Sequence, residues 1–247
     1  MKIGSGILIS VLCLMLTPAV AAAAGKDKEA DNNVDSGTFG IFMNGKRVAT
    51  ETFSIQQSGK GSLIASQFKS AEGMDEAAQS SELQLDASGN LRRYEWKETL
   101  PQKITATVTP SDQFLTEQVD SGPGAKPLNQ PFLLPNSTSI LDDYFFVQRE
   151  VLLWRYLATG CHQDKGALKC PLHERAQFGT LNPHSRSSSP ATVEFSGREK
   201  ISIHGAEREL NRFDLKSDIG DWAFWMDDQF KLDRILIAEE NTEVVRD

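Results

Sequence analysis

The chain has 247 residues, 39% of them hydrophobic, and its 34 acidic against 26 basic side chains give a formal charge of −8. That sign argues against nucleic acid and anionic membrane surfaces as partners, because both reward positive charge. The length suits one β-rich domain with its own core.

The first 24 residues read as a cleaved signal peptide. Lys2 gives a positive start, 7–16 an apolar run, and 18–24 a small-residue stretch in which Ala19-Val20-Ala21 and Ala22-Ala23-Ala24 both satisfy the cleavage pattern. The apolar run is about ten residues, half of what spans a bilayer. Leu12 stands where a lipobox needs a small residue, so Cys13 is not read as a lipid-modified cysteine. The mature protein is expected outside the cytoplasm, periplasmic or secreted, with no transmembrane segment. Residues 25–36 are almost wholly polar and read as a disordered linker, and 37–247 as a single domain.

From residue 37 the pattern becomes strand. GTFGIFM (37–43), Asn44-Gly45 and RVATETFSIQQ (47–57) predict a hairpin on a type I′ turn, which needs positive φ at both central residues. Strands are expected at 62–70, 80–86, 91–99, 103–110 and 113–119. In 103–110, Ile104, Ala106 and Val108 alternate with threonines, the mark of a sheet dry on one face and wet on the other. Residues 121–135, rich in Gly and Pro, are expected to be irregular. Residues 138–158 then predict an amphipathic helix. Apolar residues from Ile140 to Leu157 recur at steps of three and four, with a cap among 136–139 and Asp142-Asp143 in the first turn. Gly160 ends it. After a Ser/Pro-rich run at 182–190, strands are expected at 191–197, 199–205, 207–217, 221–226 and 231–239.

Signal-peptide removal leaves Cys161 and Cys170, and an even count in an oxidising compartment predicts a disulfide. With His162 and His173 they form a nominal zinc set. The adjacent Cys161 and His162 have the wrong spacing for one tetrahedral ion, so no metal site is expected. The four histidines share no fixed spacing and read as solvated loop residues. Asp142-Asp143, Asp227-Asp228 and Glu239-Glu240 are neighbours whose side chains diverge. No nucleophile elbow or phosphate-cradling glycine motif is present, so neither catalytic residues nor a cofactor are expected. The aromatic set offers more. Phe39, Ile41, Phe53, Trp96, Tyr144, Phe145, Trp154, Trp222, Phe224 and Trp225 are the candidate lining of an apolar cavity, or equally the filling of a core.

Residues 37–55, with Val48-Ala49-Thr50-Glu51-Thr52-Phe53 on the second strand, resemble the opening hairpin of bacterial exported domain-of-unknown-function families. Ala49 stands where those families have glycine. The ending, from Trp225-Met226-Asp227 to Val244-Val245-Arg246, resembles their closing hairpin. The layout is similar to the periplasmic lipoprotein-carrier half-barrel. The resemblance implies that fold, and carriage of a lipid or other apolar molecule only by analogy; no functional residue carries over.

The expected fold is therefore α+β, mainly antiparallel β: a curved sheet or incomplete β-barrel wrapped around one amphipathic helix. The first expectation for function is a non-enzymatic binding or carrier protein holding a lipid or apolar small molecule between helix and sheet. The alternative is an envelope structural or interaction protein with a filled core and a protein partner. An enzyme is the third; it requires a histidine to meet a carboxylate and a hydroxyl in one cleft.

Overall fold

The computed structural model describes residues 32–247, apart from 166 and 219. The expected signal peptide, and the expected linker up to 31, lie outside the described residues. The chain forms two antiparallel meanders joined by a crossing segment. The first contains β1 (Asn32–Met43), β2 (Lys46–Ser58), β3 (Gly61–Ser70), β4 (Ala78–Asp86), β5 (Leu91–Leu100), β6 (Ile104–Ser111), β7 (Phe114–Asp120) and β8 (Leu128–Phe132). The crossing segment carries β9 (Ser139–Ile140), helix α1 (Val147–Gly160) and the short pair β10 (His162–Asp164) and β11 (Ala167–Lys169). The second meander contains β12 (Arg175–Asn182), β13 (Ser187–Ile203), β14 (Ala206–Ser217), β15 (Gly220–Met226), β16 (Leu232–Ile237) and β17 (Thr242–Arg246).

Fifteen strands make one sheet, in the order β8-β7-β6-β5-β4-β3-β2-β1-β17-β16-β15-β14-β13-β12-β9. The two meanders meet in the middle, where β1 pairs with β17 and Phe39 lies opposite Arg246. The sheet is open, with β8 and β9 at its edges. It nevertheless bends back on itself. β4 and β12 stand nine places apart in that order, roughly 40 Å in a flat sheet. Yet His184, just after β12, touches Gln79 of β4 at 2.8 Å.

Local chemistry explains many of the strand ends. Asn44 (φ 52°) and Gly45 (φ 74°) give the type I′ turn expected between β1 and β2. Gly61 opens β3 at φ +139°, and a Cβ there would overlap the Leu85 carbonyl oxygen. Both the conformation and the close approach need glycine.

Several boundaries differ from the sequence expectation. Residues 32–36, expected in the linker, belong to β1, because Asn32 and Asn33 pair with Gln57 and Gln56 and Asp35 is buried in ion pairs. The irregular stretch 121–135 contains β8. Pro131 is tolerated there because the strand is an edge and one side needs no ladder donor. The strands expected at 191–197 and 199–205 are one long β13, bent by a bulge between Phe195 and Gly197, where Gly197 has φ +109°. Beyond the bend the hairpin tip crosses the sheet. His204 Nε2 lies 2.9 Å from the Arg246 carbonyl oxygen, and Arg208 pairs with Asp233 at 2.9 Å.

The helix is the largest correction. It begins at Val147, not 138. Ser139 and Ile140 form β9 instead, pairing in parallel with Thr180 and Leu181. Asp142 and Asp143 lie before the helix and hold the crossing loop to other elements. The N-terminus is capped from a distance: Glu51 of β2 accepts from Phe146 N at 2.7 Å and Val147 N at 3.3 Å. The helix ends at Gly160, whose close approach to the Tyr156 ring leaves a Cβ there only 3.0 Å of room. No described helix is long and apolar enough to cross a membrane.

Candidate functional site

Alternation along the strands divides the side chains. One face of the sheet carries the main core, in which α1 buries Val147, Val151, Leu152, Leu153, Tyr156 and Leu157. Nine of the ten expected cavity residues belong to it: Phe39, Ile41, Phe53, Trp96, Phe145 and Phe224 are buried, while Tyr144, Trp154 and Trp222 pack at its margin. Trp225 does not share that space. It points through the other face, where it joins Ile203, Leu210 and Val245 under the bent β13–β14 hairpin. Its neighbour Phe224 faces the core, as a two-residue period requires.

Two spaces measured between helix and sheet are about 10 Å³ each, one beside Arg149 and Trp222 and one beside Gln148 and Leu152. That is room for about one water. Larger spaces lie outside. A groove of about 400 Å³ runs over the solvent-facing side of β2–β5, lined by Thr52, Ser54, Gln67, Ser80, Glu82 and Lys97. Another, of about 380 Å³, lies between β11 and the bend of β13, beside Phe195, Arg198 and Phe230. The Cys161–Cys170 disulfide is formed and closes the β10–β11 pair directly after the helix.

The densest chemistry is a polar seam where the two meanders meet. The turn after β12 inserts His184 between aromatic faces: its ring stacks on Trp96 at 3.9 Å and tilts against Tyr144 at 4.6 Å. Nδ1 lies 2.6 Å from Asp142 Oδ2, and Nε2 lies 2.8 Å from Gln79 Oε1. The same Asp142 oxygen accepts from the Tyr94 hydroxyl at 2.6 Å, while Asp142 Oδ1 accepts from Tyr144 N. Asp143 turns the other way and accepts from Asn182 Nδ2 at 2.6 Å. The seam thus joins β4, β5, the crossing loop and the β12–β13 turn through side-chain hydrogen bonds and ring contacts.

Charged groups surround it. Glu117 of β7 is completely buried, and neither carboxyl oxygen has a hydrogen-bond partner among the described residues. Burial pushes it up to about 7, against the pull of Arg186 and His184. Glu51 is also pushed up to about 7 by burial, although Ser66, Val147 and Phe146 all donate to it. Arg149, 2% exposed, donates to the Asp142 and Phe145 carbonyl oxygens and lies under Trp222 at 4.6 Å. Burial lowers its pKa. Tyr94 is pushed well up, by burial first and by Asp142 second.

A second polar cluster ties the chain's described ends to the helix. Arg246 pairs with Asp35 at 2.7 Å and Glu150 at 3.1 Å, and lies over the Phe39 and Phe53 rings. Those rings stack on each other at 4.8 Å.

Sequence reasoning missed the seam. The sequence pattern groups His184 with His162, His173 and His204 as solvated loop residues. The other three are exposed, but the His184 side chain is only 13% exposed. No local spacing signals it, since its partners are 42 and 105 positions away. The seam does bring a histidine, a carboxylate and a hydroxyl together. Tyr94 and His184, however, share one oxygen of Asp142, and Nε2, where a nucleophile's proton would be taken, faces Gln79. That is not the order of a nucleophile–base–acid relay. Among the described residues no group of three or more His, Cys, Asp or Glu side chains is placed to hold a metal ion. Comparison with known protein families, with characterised proteins and with solved structures finds no match.

Proposed function

We propose that the chain is a non-enzymatic exported protein that acts through its surface, as a structural or interaction component of the cell envelope. The observation that carries this reading is the small size of the spaces found between helix and sheet. The spaces measured between helix and sheet are about 10 Å³, against the roughly 300–1,000 Å³ of typical ligand pockets. Two grooves of useful size lie on the outside, and the one over β2–β5 is lined mainly by hydroxyl, amide and charged groups. The disulfide supports an oxidising compartment and hence export. In this reading the sheet is an incomplete barrel around the helix, the layout of the lipoprotein-carrier half-barrel, but with side chains where a carrier keeps its cargo.

Native mass spectrometry of the mature protein taken from its own envelope, with and without prior crosslinking, tests the proposal. A bare mass short of the hydrogens lost to one disulfide, together with a crosslinked protein partner, supports it. A stoichiometric lipid that survives purification overturns it in favour of an apolar carrier. Phe39 and Trp154 then become the first interior residues to substitute.

A further inference from the structure

We infer that His184 is a charge-dependent latch that holds the second meander onto the first. The inference rests on what each ring nitrogen faces. Nδ1 meets a carboxylate oxygen of Asp142, and Nε2 meets the amide oxygen of Gln79. Both partners are acceptors, so both contacts need a proton on the ring. An imidazole carries two N–H donors only as the cation. The neutral ring keeps one of them, and its other nitrogen then sets a lone pair against an oxygen.

Gln79 is not free to reverse its amide and repair that mismatch. Its Nε2 lies 3.4 Å from Glu98 Oε2. A reversed amide would set its own oxygen against that carboxylate. The chain Glu98–Gln79–His184–Asp142–Tyr94 is therefore polarised in one direction, with the imidazolium as its only cation. The setting suits that charge. Trp96 and Tyr144 present ring faces, which attract cations. Asp142 contacts the ring, Asp143 holds the preceding Asn182, and Glu117 faces it from β7. On its own turn Arg186 is the opposing charge, and Arg186 also acts on Glu117.

Loss of the proton releases the turn, not the whole domain. Its base is fixed independently, by Asn182 on Asp143, by Leu141 N on the Leu181 carbonyl oxygen and by β9 on β12. Within the turn, His184 N and Ser185 N bond Asn182 Oδ1, so what the proton governs is the seating of residues 183–186 on the first meander. When they lift, Gln79 of β4, Trp96 of β5 and the buried Glu117 open to solvent where the second meander docks on the first.

Nitrogen-detected NMR of the whole mature protein from about pH 5 to about pH 9 tests this, since imidazole charge changes fall inside that span. His162, His173 and His204 are exposed and serve as internal references. The expected result is a His184 ring protonated at both nitrogens at the acid end. As that ring titrates, amide exchange in 184–186 should rise by about ten-fold or more, the effect of losing one charge-assisted hydrogen bond. Gln79→Glu sets a second carboxylate at Nε2 and moves the step to higher pH. Glu117→Gln removes another group that titrates nearby and keeps the step. A ring with one proton at the acid end overturns the inference. So does turn exchange indifferent to the ring's titration, or a step that Gln79→Glu leaves in place.

Discussion

Glu117 shows what an uncompensated carboxyl does inside this protein. Desolvation, with a smaller push from Asp142, raises it to about 7 against the pull of Arg186 and His184, because no donor within the described residues favours its charged form. The folded state therefore binds a proton that the unfolded chain releases near 4.5. This contribution to stability is fully present below that value and is lost as pH rises to about 7. It amounts to about 2–3 kcal/mol. Glu117→Gln keeps the shape of the protonated acid, so it should be more stable than wild type at pH 8 and equal to it at pH 4; urea melts at both pH values check this. Arg246 is the opposite case, a cation shared by the buried Asp35 and Glu150. Arg246→Ala leaves the buried Glu150 without its cation and Asp35 with Lys231 alone, and removes the group lying over Phe39 and Phe53. It should lower unfolding free energy by about 3–5 kcal/mol, readable as a reduced urea midpoint.

At the scale of the elements, the helix start is the instructive place. Its sequence offers caps at 136–139 and acids at Asp142 and Asp143, and all are used elsewhere. Asp142 serves Tyr94 and His184, Asp143 serves Asn182, and Ser139 enters β9. The real cap is Glu51, held in place by Ser66 Oγ at 2.6 Å. Sequence patterns see neighbours within a few residues, and this cap lies 95 residues away. Glu51→Ala should unwind the first turn and lower stability by about 1–3 kcal/mol. Glu51→Gln, which keeps an acceptor oxygen, should recover most of it. Hydrogen exchange at the Phe146 and Val147 amides distinguishes the loss of the cap from a general loosening. The strands were far more legible, because alternation and turn residues act locally. Asn44-Gly45 gave both the turn type and its position, while β8 was hidden by a proline that only an edge strand tolerates.

For the whole molecule the titrating groups add to one pH profile. Glu51 and Glu117 both sit at about 7, and burial raises Glu150 well above its ordinary value. Their stabilising contribution fades as pH rises from about 4.5 toward 7. Asp35 works in the other direction. Burial pushes it up, but Arg246 and Lys231 draw it down further, below its ordinary value. Its contribution is present above about 3.8 and is lost in acid. Thermal unfolding across pH should therefore show maximal stability near pH 4, well below neutrality, with a decline through pH 7. A plateau from pH 5 to 8 would mean that the buried carboxyls are compensated in solution.

The sequence by itself determined the strand-rich composition, most hairpins and the Cys161–Cys170 pairing. It also put Phe39, Phe53, Trp96, Phe145 and Phe224 among the inward candidates, without separating the filling of a core from the lining of a cavity. All follow from local periodicity, turn conformation and compartment, which neighbouring residues decide. Only the tertiary structure decided where the helix begins and that the sheet bends far enough for its second half to dock on its first. It also made His184 a buried contact instead of a solvated one. Those features depend on pairs such as Glu51 with Phe146 and His184 with Gln79. The free energy of such pairs exists only once distant segments exclude water from one another.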